Sequence, residues 1–264
     1  MTDVVPMSPM FLAYVGLETR FEGDRTIGRA TITPQWWVPG TKRPRLGLLF
    51  AVADVVGGSP PSGALNPTID LRLQLYRPAP HDGDVVLEAR PLKAGRRLYT
   101  GEVRFLDTGS GDLWARGEFT FLNQQVTPGG GNPEPRWNRG PVPPLPAPDF
   151  DTFIDAEFHE DGSLELHKHD GVHNTFTRTI MGGIQAYMAE MVAEHALAPY
   201  GRYVACDVSV RYLNPVKVGP GVARPTVRLL DRERPVVEVA LVDVGNDDRV
   251  ISRAVVVCRE DAGD

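Results

Sequence analysis

The chain reads as an α+β protein built from two similar halves, each an antiparallel sheet with one buried helix. Three observations predict this. Met181 to Leu197 is rich in Ala, Met and Leu, residues that favour a helix. Ile184, Met188, Met191, Val192 and His195 recur on one face of it, and Gly183, Ala186, Ala189 and Ala193 form a second face of small residues. No Lys or Arg occurs between Arg178 and Arg202, so this helix is expected to be buried nearly all round. Around it and earlier in the chain run short segments with strand patterning, separated by turn residues. The pattern then occurs twice. Gly47 falls on Gly183 and Asp54 on Glu190, about 136 positions apart, a separation of one domain length.

The elements follow in order. Phe11–Leu17 is an apolar lead-in, and Thr26–Thr33 alternates like a strand. Pro34–Arg45 is expected to be a loop, with Trp36 and Trp37 either lining a pocket or packing the domain junction. Leu46–Gly58 is apolar apart from Asp54, and periodicity alone allows a buried strand or a buried helix. The repeat decides for a helix, because this stretch lies over the Met181 segment. Pro60–Pro67 breaks the pattern. Strands are then expected at Thr68–Tyr76, Asp84–Arg90, Arg97–Leu106 and Asp112–Leu122, with a hairpin turn at Thr108–Asp112. Asn123–Pro148 is dense in Pro and Gly and poor in aliphatic residues, which is the composition of a linker. The expected division is therefore a domain at 1–123, a linker at 124–148 and a domain at 149–264.

After the linker the order begins again. Phe150–Phe158 is a second lead-in, Ser163–Lys168 a strand and His169–Ile180 a loop before the helix. Strands are expected at Tyr203–Tyr212, Gly221–Leu230, Val236–Val242 and Arg249–Cys258, with a turn at Gly245–Asp248. Thr68–Pro78 aligns with Ala205–Pro215, placing Asp70 on Asp207 and Pro78 on Pro215; both aspartates are read as structural. A sheet wrapped round each apolar helix satisfies the pattern. The duplication then supplies a pseudo-twofold partner within the chain.

The totals exclude several functions. With 264 residues, 42% hydrophobic and 23% charged, the chain is expected to be globular. A net charge of −6 argues against nonspecific nucleic-acid binding. Cys206 and Cys258 lie in strand-like runs and are read as core residues in a reducing compartment. Met1–Phe11 lacks the pattern of a secretory signal, and no apolar run is long enough to span a membrane. Cytoplasmic location and no membrane partner are expected.

The glycine-then-acid spacing carries the functional argument. Met181-Gly182-Gly183 precedes Glu190, and Arg45-Leu46-Gly47 precedes Asp54, each acid standing seven residues after the second motif glycine or its counterpart. In this respect, and in the strand that ends in Pro78 or Pro215, the chain resembles the hot-dog thioesterases of the phenylacetate-pathway and 4-hydroxybenzoyl-CoA type, as a tandem double hot-dog. The resemblance covers nearly everything outside the linker. It implies two hot-dog domains packed as a pseudo-twofold dimer and acyl-CoA as substrate. It also implies no resident cofactor beyond the coenzyme A carried by the substrate, no metal, and assembly of the double hot-dog chains into homo-oligomers. It places the oxyanion-binding amides at Gly182, Gly183 and Gly47, and a phosphate-binding segment at Gly95, Arg96 and Arg97. The chain departs from the family in lacking the motif histidine, replaced by Met181 and Arg45, and in having Leu46 at the first glycine position.

The residues themselves fit that chemistry. Thioester hydrolysis needs a base or nucleophile beside the carbonyl and donors for the oxyanion. A helix N-terminus supplies unpaired N–H groups and a favourable dipole. A carboxylate two turns into a buried helix has its acidity weakened by desolvation. Asp54 and Glu190 are therefore candidate catalytic groups, each opposite strand residues of the other half, and one site can be degenerate. The alternative for each is a carboxylate paired for structure. Thr68 opens the strand expected to face the opposite site, where it can hydrogen-bond the water or the carboxylate, or serve only as a strand residue. Lys93, Arg96 and Arg97 can pair with phosphates or be ordinary surface charge. Four of six histidines lie between His159 and His173, with no acid or cysteine at a ligand-like spacing, so no metal site is expected. His195 is read as a core residue. A hot-dog hydratase would need a catalytic His beside the helix, and a non-catalytic acyl-CoA binder would keep the carboxylates for structure alone.

Overall fold

The computed structural model describes residues 11, 14–59, 67–122, 138–139, 148–173 and 178–261. The first half holds β1 (Glu18–Glu22), β2 (Arg25–Ile32), α1 (Leu46–Gly58), β3 (Thr68–Leu75), β4 (Gly83–Ala94), β5 (Leu98–Asp107) and β6 (Leu113–Leu122). A two-residue strand, β7 (Asn138–Arg139), follows and pairs with β1. The second half holds α2 (Phe150–Ile154), β8 (Glu157–Phe158), β9 (Leu164–Leu166), α3 (Gly182–Leu197), β10 (Tyr203–Tyr212), β11 (Gly221–Leu229), β12 (Val236–Asp243) and β13 (Arg249–Glu260).

All pairings are antiparallel and the strands form one sheet in the order β7-β1-β2-β4-β5-β6-β3-β10-β13-β12-β11-β9-β8. The order β2-β4-β5-β6-β3 in the first half is repeated as β9-β11-β12-β13-β10 in the second. The halves join where β3 pairs with β10, from Asp70 opposite Arg211 to Gln74 opposite Asp207. This is the expected pair of wrapped helices, fused edge to edge. On the outer face of that seam, the Arg72 guanidinium donates to both carboxylate oxygens of Asp207, a bidentate bond between halves. The structural reading of Asp207 fits this contact.

The sheet curls round α1 and α3, and the two helices cross in its centre. α1 has β-branched Val52, Val55 and Val56, two terminal glycines and no side-chain cap. Local propensity does not favour a helix there. Burial of Leu46 to Ala53 and Val56 against the sheet and α3 holds it in place. At the crossing, a Cβ on Gly47 would lie 2.3 Å from Tyr187 Cα, and one on Gly183 would lie 2.4 Å from Ala51 Cα. The same close approach is thus made twice, as the pseudo-twofold requires. The lead-ins also meet, with Tyr14 stacked on Phe153 at 4.6 Å and Phe11 edge-on to Phe150 at 6.2 Å.

Several expectations need adjustment. β4 runs on to Ala94, because Pro91 is taken up where the register shifts between Pro91 and Lys93, an irregularity that tolerates proline. β9 keeps only Leu164–Leu166 of the longer strand expected. The Pro34–Arg45 loop contains a 3₁₀ turn at Pro34–Trp36 and a bridge between Trp37 and Pro44. Trp36 is core and Trp37 donates to the His81 carbonyl at 2.6 Å. His195 is exposed rather than core, and its ring stacks on Phe158 at 4.3 Å. Most of the 124–148 linker and of the Pro60–Pro67 breaker lies outside the described residues. Among the described residues, no helix is long and apolar enough to cross a membrane.

Candidate active site

Each helix places its acid beside the N-terminus of the other helix, so the pseudo-twofold creates two sites. They differ in every contact that matters.

At the first site, Asp54 of α1 accepts a hydrogen bond at Oδ1 from the Thr68 hydroxyl at 2.7 Å. Thr68 is the first residue of β3, and it bonds the acid of its own half instead of facing the opposite site. Asp54 Oδ2 has no hydrogen-bond partner among the described residues, and it faces α3. A Cβ on Gly182 would lie 3.1 Å from that oxygen and 3.0 Å from the Tyr212 hydroxyl. Here close approach favours glycine, because a side chain would push the Tyr212 and Asp54 tips aside. The first bond within α3 runs from Gln185 N–H to Met181 C=O at 3.1 Å. The amides of Gly182 and Gly183 therefore have no acceptor in the helix, and none accepts from them among the described residues. Asp54 is enclosed on most sides by protein yet, like Thr68, Gly182 and Tyr212, keeps some surface open to solvent. Burial raises its pKa to about 6, with the Thr68 bond pulling the other way.

At the second site, Glu190 of α3 is fully buried. Its oxygens accept from Leu46 N–H at 3.1 Å and Gly47 N–H at 2.7 Å, the first amides of α1. The longer acid thus caps the helix, taking up both of these amides. The Arg43 guanidinium bonds Glu190 at 3.5 Å and Glu194 at 3.0 Å. Arg45 donates through Nε to Asp151 at 3.0 Å and through Nη1 to Glu194 at 3.4 Å. Tyr187 donates to Asp151 at 2.7 Å, and Ala205 N–H to Glu194 at 2.9 Å. Burial and the Glu194 charge push the Glu190 pKa up, while Arg45, Arg43 and the Gly47 amide draw it back. Ala205 stands at the position equivalent to Thr68, so no hydroxyl is offered to the acid here.

The nine expected site residues divide accordingly. Asp54, Thr68, Gly182 and Gly183 come together at the first site, and Glu190 and Gly47 at the second. Gly95, Arg96 and Arg97 form the turn between β4 and β5, where Gly95 N–H donates to Leu98 C=O at 2.8 Å. Arg96 and Arg97 are exposed. Leu98 pairs with Leu122, and Thr68 pairs with Phe121. This turn therefore stands at the Asp54 end of the sheet, two strands from Thr68, about 10 Å at ordinary strand spacing. Sequence reading missed Tyr212 and the Arg43–Arg45–Asp151 network. The available signal for Tyr212 was a polar-tipped residue on an inward strand position where the other half has Leu75. It also missed that Glu165 is shared by His159 at 3.2 Å and His167 at 2.9 Å. Among the described residues, no cluster of three or more His, Cys, Asp or Glu is arranged to hold a metal ion.

This arrangement defines a tandem hot-dog fold. No family model and no curated relative matches the sequence. Solved structures do match in fold. One is a protein named as a candidate thioesterase II from Thermobifida fusca YX, 17% identical, with a TM-score of 0.67, covering 97% of this chain and 98% of that one. Another is a conserved protein with the hot-dog fold from Alicyclobacillus acidocaldarius, 15% identical, TM-score 0.61, covering 97% and 98%. A third is the acyl-CoA thioesterase II from Mycobacterium marinum, 10% identical, TM-score 0.55, covering 88% and 92%.

Proposed function

We propose that this protein hydrolyses acyl-CoA thioesters at the Asp54 site, and that Glu190 has become a structural plug in the other. The carrying observation is the contrast in amides. The Leu46 and Gly47 amides hold a carboxylate, which marks the equivalent Gly182 and Gly183 amides as ready to hold a thioester oxygen. Asp54 is one methylene shorter than Glu190 and stops short of those amides, leaving Oδ2 available. Thr68 fixes the other oxygen and so orients the carboxylate.

In this reading the thioester carbonyl oxygen lies on the Gly182 and Gly183 amides. Asp54 Oδ2 takes a proton from water as the water oxygen bonds to the carbonyl carbon. The tetrahedral intermediate collapses with cleavage of the C–S bond, and the Asp54 proton passes to the departing thiolate. The products are the free acid and coenzyme A, and Asp54 is again ionised. Direct attack by Oδ2 on the carbonyl is the nucleophilic variant of the same geometry. A pKa near 6 leaves the base ionised at neutral pH yet stronger than an ordinary aspartate. Arg96 and Arg97 stand at the end of the sheet where the coenzyme A phosphates would lie. The named thioesterases of the same fold support the reading.

Thiol release from a panel of acyl-CoAs by the purified chain, with Asp54→Asn alongside, tests it. Turnover that Asp54→Asn abolishes is expected. Binding without turnover would make the protein an acyl-CoA carrier, and turnover that survives Asp54→Asn would move the chemistry elsewhere.

A further inference from the structure

One polar contact of the open site has no part in the chemistry just described. Tyr212, the last residue of β10, donates its hydroxyl to the Gly182 carbonyl at 2.8 Å. The peptide unit is planar, so the Gly182 carbonyl and the Gly183 N–H are ends of one rigid group and turn together. Two successive glycines at a helix start have the widest backbone freedom, and the N–H groups of the first turn have no helical acceptor, so only the carbonyl side of these peptides is held by the helix. We propose that Tyr212 is a positioning residue: it grips the carbonyl end of the Gly182–Gly183 peptide and so aims the Gly183 N–H at the substrate oxygen. This rests on the thioesterase reading of the same site.

The other half supplies the independent comparison. There the equivalent of Tyr212 is Leu75, which has no hydroxyl. The matching peptide, Leu46–Gly47, is held from its N–H end by Glu190 at 2.7 Å. Each helix start therefore has, beyond the helix's own bonds, a side-chain clamp, made by the opposite mode. Glu190 consumes the donors, whereas Tyr212 uses an acceptor and leaves the donors open. The grip is close, since Tyr212 Cζ and the hydroxyl would each lie 3.0 Å from a Cβ on Gly182. Burial first, and the Asp54 charge second, hold the phenol well above its ordinary pKa. It stays a hydrogen-bond donor and takes no part in proton transfer.

The experiment uses the whole chain and two readouts. In steady-state hydrolysis, Tyr212→Phe is expected to lower kcat about tenfold with KM little changed, less than the loss on deleting an oxyanion donor outright. Tyr212→Leu, which copies the other half, must show the same split and serves if the Phe variant does not fold. The second readout is the infrared carbonyl stretch of a ¹³C-labelled acyl-CoA bound to Asp54→Asn. The downshift from free thioester should be smaller in Asp54→Asn/Tyr212→Phe. Unchanged kcat, or a raised KM at constant kcat, or an identical stretch, overturns the assignment. The spectroscopic arm needs binding but no turnover. Failure of the hydrolase reading, seen as no thiol release by the native chain, is therefore distinguished from failure of the Tyr212 role.

Discussion

The two helix starts of this molecule have the same backbone and opposite fates. At α1, Glu190 fills the amide site, and Arg43, Arg45, Asp151 and Glu194 form a partly buried ion network beside it. At α3, the amides stay open, the acid is shorter, and the preceding residues Thr179, Ile180 and Met181 carry no charge. A single fold thus yields one helix start beside a partly solvent-exposed acid and one capped by a buried acid. The extra methylene of Glu190 over Asp54 separates capping a helix from leaving its donors free. The capped helix start marks the amides of the open one that would hold an oxyanion under the proposed reading.

Substitutions at the paired acids test this contrast most directly. Asp54→Asn is expected to lower kcat about a thousandfold, the range a general base contributes, with the fold intact by circular dichroism. Glu190→Ala should leave the Leu46 and Gly47 amides without their acceptor in the interior, while Arg43 keeps its bond to Glu194. A loss of about 1–3 kcal/mol for each stranded amide is expected in urea unfolding, and equal stability to the native chain would show the cap to be dispensable.

The helix crossing comes next. Gly183→Ala places a methyl against the Ala51 backbone, and overpacking of this kind costs about 1–3 kcal/mol. Gly47→Ala, its mate against Tyr187, should cost about the same. A harmless Gly183→Ala would mean the helices are farther apart than described.

The pH dependence is smaller and has a fixed sign. The folded-state pKa of Asp54, about 6, lies above the unfolded one, so the folded protein holds this proton more tightly. Its contribution to stability is greatest below the ordinary aspartate range and declines as pH rises to about 6. Asp54→Asn should therefore stabilise the protein at pH 8 relative to pH 4 by about 1–2 kcal/mol, after discounting for the part of Asp54 that water reaches. In the native chain, kcat/KM should rise with pH through an apparent pKa near 6, and a profile flat from pH 5 to 8 would remove Asp54 as the base. Arg96→Ala with Arg97→Ala is the mildest change, with KM for acyl-CoA rising a few fold, more at low salt than at high.

The sequence by itself determined the repeat, and through the repeat the fold. Leu46–Gly58 carries a helix-neutral, β-branched composition, yet its alignment with the Ala-rich Met181 segment named it a helix, and both boundaries agree with α1. Tyr203–Tyr212 was legible as β10 from its alternation alone. The acids and glycines were visible as residue types, because spacing along a helix fixes which face they share. Tertiary structure decided which acid is free. Glu190 and Asp54 align in sequence, but their roles depend on groups brought from elsewhere: Arg43 from the loop before the opposite helix, Thr68 or Ala205 from the strand after the acid's own helix, and Tyr212 from across the seam. No local period in the chain encodes these contacts, and those of Arg43 and Tyr212 span the domain junction. His195 shows the same limit, because its helical spacing matches the apolar face while in the fold it stacks on Phe158 at the surface and stays exposed.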